Sequence, residues 1–526
     1  MKEQADLIII NADKIYSVDD QNHIYQSMVV KDGKILALGS KKEILARYRA
    51  KDVMDASGQF LFPGFIDAHC HFYGFAENLQ YVDLTGSKSF QEVLDRLKNG
   101  ESLIPGEWIV GRGWDQNLWR DKNFPDKTEL DQFYPARPVV LIRVDGHAVL
   151  ANSEALKRAD IDVKNRFNSG EVLLQSGKLT GILTENAADH MRSSVPRPGL
   201  SETVTLVERA QELCFAAGLT SVSDAGLDCS TVRLIDSLQK HGILKIHMYA
   251  MLNPNSANFE NFVSKGIYQT EDLMVRSIKV YSDGSLGSRT ALLKMPYADA
   301  PDQKGILSIS PDSIRKIARF ALSNGYQVNT HAIGDSAVRL ILDIYGSILK
   351  SKNDLRWRIE HAQVVDLTDT TFFAKYSVIP SIQATHATSD MNWAKERLGP
   401  DRILGAYAYR TLLMQNGWLA NGTDFPIENI SPLLTFYAAV ARKDLQGMPS
   451  HGFMMENALT REEALKSITI WAARANFCDR QMGSLEAGKE ANFVFLDRNI
   501  MEIPISEVPM VKVLKTIRKG HTVYPE

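Results

Sequence analysis

The sequence predicts an α/β protein built on a (β/α)8 barrel, in which eight parallel strands alternate with helices. Short apolar runs alternate with helical patterns from about residue 200 onward, and seven of these runs are strand-like. An eighth lies near residue 60, and eight is the number that closes a barrel. Several runs stay apolar up to a polar tip, which is typical of a parallel sheet covered by helices on its outside.

The predicted strands and helices cover most of the chain. One helix carries apolar residues at helical spacing from Ile314 to Leu322 and stops at Gly325. Another runs from Ala337 to Tyr345. The eight strands are expected, in chain order, at residues 60–72, 220–226, 245–251, 276–284, 326–335, 355–363, 377–385 and 417–426.

Two regions depart from this alternation. Residues 1–58 and 483–526 contain short β runs with turn signals, and Lys31-Asp32-Gly33-Lys34 predicts a hairpin. We expect these chain ends to form one small composite β-sandwich beside a barrel domain at 59–482. Residues 73–200 follow the first barrel strand and are rich in Trp, Asp and Gly. A connection that long needs structure of its own, so we predict an inserted subdomain over the active site.

The composition indicates which partners to expect. The chain has 526 residues, 44% hydrophobic and 23% charged, with a formal net charge of −3, which is typical of a globular enzyme. It has no long basic run and no stretch near the ~18 apolar residues of a membrane span. We therefore expect a small-molecule substrate and neither nucleic acid nor membrane as a partner. The sequence is also compatible with a homodimer. The short apolar run from Leu7 to Ile10 and four scattered cysteines favour the cytoplasm.

The strongest chemical signal is His69-Cys70-His71 at the tip of the first predicted strand. Side chains alternate along a strand, so His69 and His71 face the same way and can bind one metal ion. Cys70 points elsewhere, and we interpret it as a packing residue. The tip lies at the C-terminal end of the barrel, where such folds place their active sites.

Four further residues gain meaning from their positions. His331, His361 and Asp424 end the fifth, sixth and eighth predicted strands, and Lys279 lies within the fourth. Each alone has an ordinary explanation: a hydrogen-bonded histidine, a turn cap, or a lysine paired with Asp283. Together they converge on one end of a barrel. Imidazole and carboxylate ligands suit a divalent metal ion. Zn²⁺ is the first candidate, and Mn²⁺, Fe²⁺ or Co²⁺ also fit this donor set.

Weaker candidates for substrate binding lie in two other regions. Ordinary packing, surface charge or a tight turn explains each of them about as well. They are Trp114, Asp115, Arg143, Asp145 and His147 in the insertion, and Gly284, Gly287 and Arg289 after the fourth strand.

Five motifs carry a resemblance to a known family: PGFIDAHCHF, SIKVYSDGSLGSRTA, HAIGD, EHAQ and NGTDFP. Together they resemble the amidohydrolase superfamily over essentially the whole chain. GRGWDQNLW and DGSLGSRTA make the chain most similar to the YtcJ-like, or amidohydrolase-3, branch, which includes N-substituted formamide deformylase.

The resemblance implies a ligand set and a modification. His69, His71 and Asp424 would bind one metal, and His331 and His361 a second. Lys279, carboxylated by CO₂, would bridge the two. A carbamate is an anion that can bind both ions, whereas an ammonium would be repelled by them. A site with one ion, in which Lys279 only donates hydrogen bonds, stays open.

The expected reaction is hydrolysis of a C–N bond, of an amide or formamide type, by metal-activated water. Asp424 would take the proton from the water and pass it to the leaving nitrogen. Three alternatives remain: a deaminase, an ester or lactone hydrolase, and a non-catalytic scaffold or regulator. A deaminase is disfavoured because Gly334, three residues after His331, stands where a glutamate is expected. A scaffold is disfavoured because every expected ligand is present.

Overall fold

The computed structural model describes residues 2–100, 106–144, 148–165 and 172–525. The chain forms two compact units. The larger comprises Met1–Tyr73 and Gln211–Glu526, and the smaller comprises Gly74–Ala210. Among the described residues, no helix has both the length and the apolar character needed to cross a lipid bilayer.

The larger unit contains a nearly closed barrel of eight parallel strands, as the sequence predicts. Asp424 N–H donates to the His69 carbonyl and His71 N–H to the Phe425 carbonyl, both at 2.8 Å, and these bonds join the last strand to the first. Tyr268–Gln269 adds a short antiparallel strand. Around the ring, the strands are Phe65–Cys70, Leu219–Leu227, His247–Leu252, Leu273–Tyr281, Gln327–Ala332, Arg358–His361, Ile379–Ile382 and Ala420–Asn421.

The expectation of a single first strand at 60–72 was wrong. Phe60–Pro63 belongs to a different sheet, and only Phe65–Cys70 enters the barrel. Gly64 separates the two strands, and a Cβ atom at Gly64 would clash with the Thr220 side chain. The chain therefore changes sheets at a residue where only glycine fits.

Helices alternate with the barrel strands. The helix Pro311–Ser323 begins where the Ser310 hydroxyl accepts the Ser313 N–H at 3.2 Å, and it buries an apolar stripe that starts at Ile314. The helices of this unit after the second barrel strand are Cys229–Lys240, Ser256–Asn261, Pro311–Ser323, Asp335–Leu349, Thr371–Tyr376, Ala384–Asp390, Ala394–Arg402, Tyr409–Asn416, Pro432–Ala441, Arg461–Ser467 and Ile470–Ala475.

Both chain ends contribute to a β-sandwich, as predicted. Leu7 and Phe493 share its core, while Ile8 faces the other side of its sheet, against the helix Lys41–Arg47. Asp32 and Gly33 have φ of 52° and 72° in the predicted hairpin. One sheet has the order Lys34–Gly39, Ser27–Lys31, Glu3–Ile10, Tyr48–Asp55; the other has His521–Tyr524, Val513–Arg518, Phe493–Leu496, Phe60–Pro63, Lys14–Tyr16, Ile24–Tyr25.

The smaller unit has a sheet and hydrophobic cores of its own. Trp114 and Trp119 lie in one core, and Trp108 lies in another. The chain passes between the two units within the helices Phe72–Asn78 and Leu200–Ala216. Its strands, in sheet order, are Val172–Gln175, Lys178–Thr184, Ala148–Ala151, Val139–Arg143, Ile109–Trp114 and Val82–Asp83. Its helices are Phe90–Gly100, Thr128–Phe133, Ser153–Arg158 and Glu185–Ser194.

Candidate metal centre

The six residues predicted to bind metal lie near one another, at or close to the C-terminal ends of barrel strands. Lys279 Nζ lies 3.0 Å from His69 Nε2, and the His331 and His361 ring centroids are 4.5 Å apart. The six are His69 in the first strand, His71 just after it, Lys279 in the fourth strand, His331 in the fifth, His361 at the end of the sixth and Asp424 after the eighth.

His69, His71 and Asp424 form one group of three. Asp424 Oδ1 lies 3.6 Å from His69 Nε2 and 3.3 Å from His71 Nε2. One ligand atom from each residue lies within 4.8 Å of the other two. Two imidazoles and one carboxylate are a suitable donor set for Zn²⁺ or a similar ion.

Hydrogen bonds on the opposite side of each ring orient these two histidines. His69 Nδ1 lies 2.6 Å from Glu360 Oε2, and His71 Nδ1 lies 2.9 Å from the Ala225 carbonyl. Because a carboxylate and a carbonyl only accept, each Nδ1 carries the proton, and each Nε2 lone pair points to the centre. Burial alone would raise the pKa of Glu360. The contact with His69 and the charge of Arg358 outweigh burial and lower this pKa to about 2.

Asp424 is buried in a way that favours a bound cation. Its backbone has φ 63°, in the left-handed region. Its Oδ1 atom has no hydrogen-bond partner among the described residues. Burial raises the pKa of Asp424, but the neighbouring histidines, His71 first, hold that pKa well below its usual range. A bound cation would stabilise a buried, ionised oxygen that has no hydrogen bond, so these residues fit a metal ion.

Lys279 is fully buried beside this group. Burial lowers its pKa to about 8, so a useful fraction of the amine is neutral near physiological pH. The sequence also allowed an ion pair between Lys279 and Asp283. Among the residues that the structure describes, Lys279 makes no such ion pair. Asp283 instead accepts backbone N–H groups from Leu292, Ile333 and Gly334, at 2.9 to 3.0 Å.

His331 and His361 lie on the other side of the centre. His331 Nε2 is 3.1 Å from the Gly284 carbonyl, to which it donates. His361 has φ 72°, and its Nδ1 is buried without a hydrogen-bond partner among the described residues. Burial is the main cause that lowers the pKa of both rings, so both are neutral and can act as ligands.

The sequence interpretation missed two residues of the centre. His386 lies in the helix Ala384–Asp390, and its Nε2 is 3.6 Å from Asp424 Oδ2. It lies one residue beyond the predicted seventh strand, so a search for histidines just past strand tips would have found it. Glu360 precedes His361 in the EHAQ motif, and its contact with His69 spans strands far apart in sequence.

The weaker substrate candidates have contacts within their own units. Trp114 Nε1 donates to the Leu141 carbonyl at 2.9 Å, and Asp115 pairs with Arg143 at 2.9 Å. Arg289 pairs with Asp299 at 2.8 Å. Their part in substrate binding stays a prediction. Of the others, a Cβ atom at Gly284 would clash with Thr290, Gly287 lies near Trp393, and Asp145 and His147 lie outside the described residues.

A nitrogen and carboxylate centre at the strand ends of an α/β barrel is typical of metal-dependent hydrolases. Comparison with known proteins gives the family. The amidohydrolase-3 model, described as amidohydrolase family, matches residues 52–524. The chain belongs to the amidohydrolase family.

Individual relatives confirm the resemblance to the YtcJ-like branch. The putative amidohydrolase YtcJ of Bacillus subtilis is 29% identical over 524 residues, covering 97% of this chain and 98% of that protein. N-substituted formamide deformylase of Arthrobacter pascens is 27% identical over 546 residues, covering 99% and 98%. An uncharacterized metal-dependent hydrolase from Pyrococcus furiosus superposes with a TM-score of 0.78 at 29% identity, covering 94% of this chain and 100% of that chain.

Proposed function

We propose that the protein hydrolyses a C–N bond in an amide or formamide-type small molecule, in the cytoplasm, with Zn²⁺ as the first candidate metal. The observation that carries this proposal is the group His69, His71 and Asp424, in which a buried carboxylate oxygen faces two oriented imidazoles. The likeness to N-substituted formamide deformylase supports the choice of bond.

His69, His71 and Asp424 would hold one ion, and His331 and His361 a second. A divalent cation supplies Lewis-acid activation of water and of the scissile carbonyl. The protein's part is to orient the ligands, which Glu360 does for His69.

Asp424 is the proposed proton carrier. Its lowered pKa keeps it ionised at neutral pH, so it can accept a proton from the attacking water. Passing that proton to the nitrogen completes the cleavage, because an unprotonated amide nitrogen is a very poor leaving group.

Lys279 is the proposed bridging ligand, after modification. Its neutral amine would add to CO₂ and lose one proton, which gives a carbamate with two oxygens. The depressed pKa supports this reaction, since only the neutral amine attacks CO₂. Its distance of 3.0 Å from His69 Nε2 supports it too, because an ammonium at that position would repel a cation.

A substrate panel tests the proposed reaction. Protein loaded with Zn²⁺ is incubated with N-formyl and N-acyl amines, and with esters of the same acids. We expect amine release that a chelator abolishes and added Zn²⁺ restores. Metal-dependent cleavage of the esters alone would assign an ester hydrolase instead. No metal-dependent turnover in either series would contradict a hydrolase acting on these substrates.

A further inference from the structure

His386 lies in the centre but belongs to neither proposed group of metal ligands. Its ring is nearly parallel to that of His361, with an angle of 18° and centroids 5.9 Å apart. Its side chain is 13% exposed, whereas that of His69 is 0% exposed. Its Nε2 atom is buried and has no hydrogen-bond partner among the residues that the structure describes. Buried polar atoms are nearly always hydrogen-bonded, so a molecule that enters the centre is the expected partner of this nitrogen.

The two carboxylate oxygens of Asp424 face different neighbours. Oδ1 lies 3.6 Å from His69 Nε2 and 3.3 Å from His71 Nε2, on the side of the proposed ligands. Oδ2 lies 3.6 Å from His386 Nε2, which is too long for a hydrogen bond. With Oδ1 as the ligand atom, Oδ2 is the oxygen that remains to carry the proton in the proposed reaction.

This division of roles places the leaving nitrogen of the substrate. Proton transfer requires about 2.6–3.2 Å between Asp424 Oδ2 and the nitrogen that receives the proton. Because Oδ2 faces His386 at 3.6 Å, a nitrogen at that distance can also reach His386 Nε2. The leaving nitrogen therefore lies on the His386 side of the centre.

Hydrogen bonds fix the position of His386 relative to Asp424. The first N–H of the helix that carries His386 donates to Asn421 Oδ1, in the eighth strand, at 3.2 Å. Near the end of the same helix, the Ser389 hydroxyl donates to Glu428 Oε1, in the loop after Asp424, at 2.6 Å. The helix is thus tied on both sides of His386 to the segment that carries Asp424, which favours a fixed geometry toward a substrate.

We propose that His386 recognises the scissile nitrogen. With the ring proton on Nδ1, its Nε2 accepts an N–H of that nitrogen, so the substrates are amides that carry at least one N–H. As the carbonyl carbon is attacked, the nitrogen becomes pyramidal and gains a lone pair. The bond to His386 turns this lone pair toward Asp424 Oδ2, which gives up its proton. The C–N bond then breaks, its electron pair stays on nitrogen, and the amine leaves with its own hydrogen and the added proton.

The proposal makes His386 a specificity-determining residue. A tertiary amide has no N–H to donate, so it would leave the buried Nε2 without a partner and be a poor substrate. The inference rests on the proposed hydrolysis of a C–N bond and adds the class of amide on which the centre acts.

Pairs of substrates that differ by one methyl group test this inference. N-alkylformamides are compared with their N-methyl counterparts on the metal-loaded full chain, and the ratio of the two kcat/KM values is measured. We expect the wild type to favour the secondary amide ~10-fold more than His386→Phe does, because phenylalanine keeps a ring but has no nitrogen. Comparing the ratio between proteins removes the intrinsic difference in reactivity between the substrates. Equal ratios in the wild type and His386→Phe would overturn the proposal.

Two further variants separate recognition from packing. His386→Gln keeps a side-chain oxygen that can accept an N–H, so it should recover part of the preference. Thr388→Ala, on the same helix, is the matched control and should keep all of it. If His386→Gln lowers the preference as far as His386→Phe does, the role of the ring is packing and the proposal is wrong.

Metal content per chain gives a readout that does not depend on activity. Because His386 is not a ligand in this scheme, the wild type and all three variants should hold the same amount of metal. Loss of metal in His386→Phe and His386→Gln would overturn the proposal. A wild-type chain that hydrolyses neither series contradicts the proposed function and this inference with it. Turnover of both series at ratios that His386 does not change contradicts the inference alone.

Discussion

In the half of the centre built on the first barrel strand, His69 and His71 each donate Nδ1–H to a fixed acceptor. In the half built after the sixth and seventh strands, His361 and His386 each have a buried nitrogen without a hydrogen-bond partner among the described residues. The first half is therefore oriented by hydrogen bonds within the protein, whereas the second contains buried polar atoms that a bound ion or substrate would satisfy. Substitutions in the two halves should have different consequences.

Asp424→Asn should have the largest effect, because Asp424 belongs to both halves. The amide keeps the size but loses the charge and the proton-accepting oxygen, so we expect turnover to fall by ~10² or more in a folded protein. Steady-state kinetics on a hydrolysed substrate, with circular dichroism for folding, measure this effect. Asp312→Asn, whose side chain is 84% exposed, is the control. Near-native turnover in Asp424→Asn would mean that another group moves the proton.

Lys279→Ala should follow, since the proposed carbamate would bridge the ion on His69, His71 and Asp424 and the ion on His331 and His361. We expect loss of most bound metal and activity, and partial recovery with added short-chain carboxylic acids, which can occupy the vacated bridge. Metal analysis and mass measurement of the intact wild-type chain, for the mass added by CO₂, check this expectation. Lys294→Ala, which removes an amine that pairs with Asp366 and Asp369, is the matched control. Full metal content and activity in Lys279→Ala would exclude the bridge.

Glu360→Gln should affect the oriented half alone. The glutamine oxygen can still accept the His69 Nδ1–H, but the charge that strengthens this bond is lost. We expect metal affinity to fall by about 10-fold, which is the lower end of the usual effect of losing a residue that hydrogen-bonds to a metal ligand. Competition with a chelator measures it, with Glu463→Gln, in the helix Arg461–Ser467, as the control. Unchanged affinity would show that packing alone orients His69.

The smallest effect we predict is a pH dependence of metal loading. Burial lowers the pKa of Lys279 to about 8, and only the neutral amine reacts with CO₂. The rate at which metal-free protein regains metal, at fixed dissolved CO₂, should therefore rise with pH. Between pH 7 and pH 8 the neutral fraction grows about fivefold, and it levels off above pH 9. A rate that is flat or falls over this range would contradict the carbamate step.

The sequence was informative where local pattern decides structure. Apolar runs with polar tips located the barrel strands, and the alternation of side chains placed His69 and His71 on one side. It failed where the outcome depends on closure of the ring. Glu360 contacts His69 across 291 positions, and no local pattern encodes that pairing. His386 was missed because the seventh strand ends early, at Ile382, and a helix carries the histidine.

The contact between Asp67 and Thr423 has a consequence for how the protein is made. Asp67 Oδ2 accepts the Thr423 hydroxyl at 2.7 Å, across 356 positions of the chain. Closing so long a loop is slow compared with forming neighbouring strands, so this contact belongs among the late events of folding. On the ribosome, His69 and His71 emerge hundreds of residues before Asp424 does. The nascent chain therefore carries an incomplete candidate metal site through most of its synthesis, and the centre is complete only when the segment after the eighth strand docks.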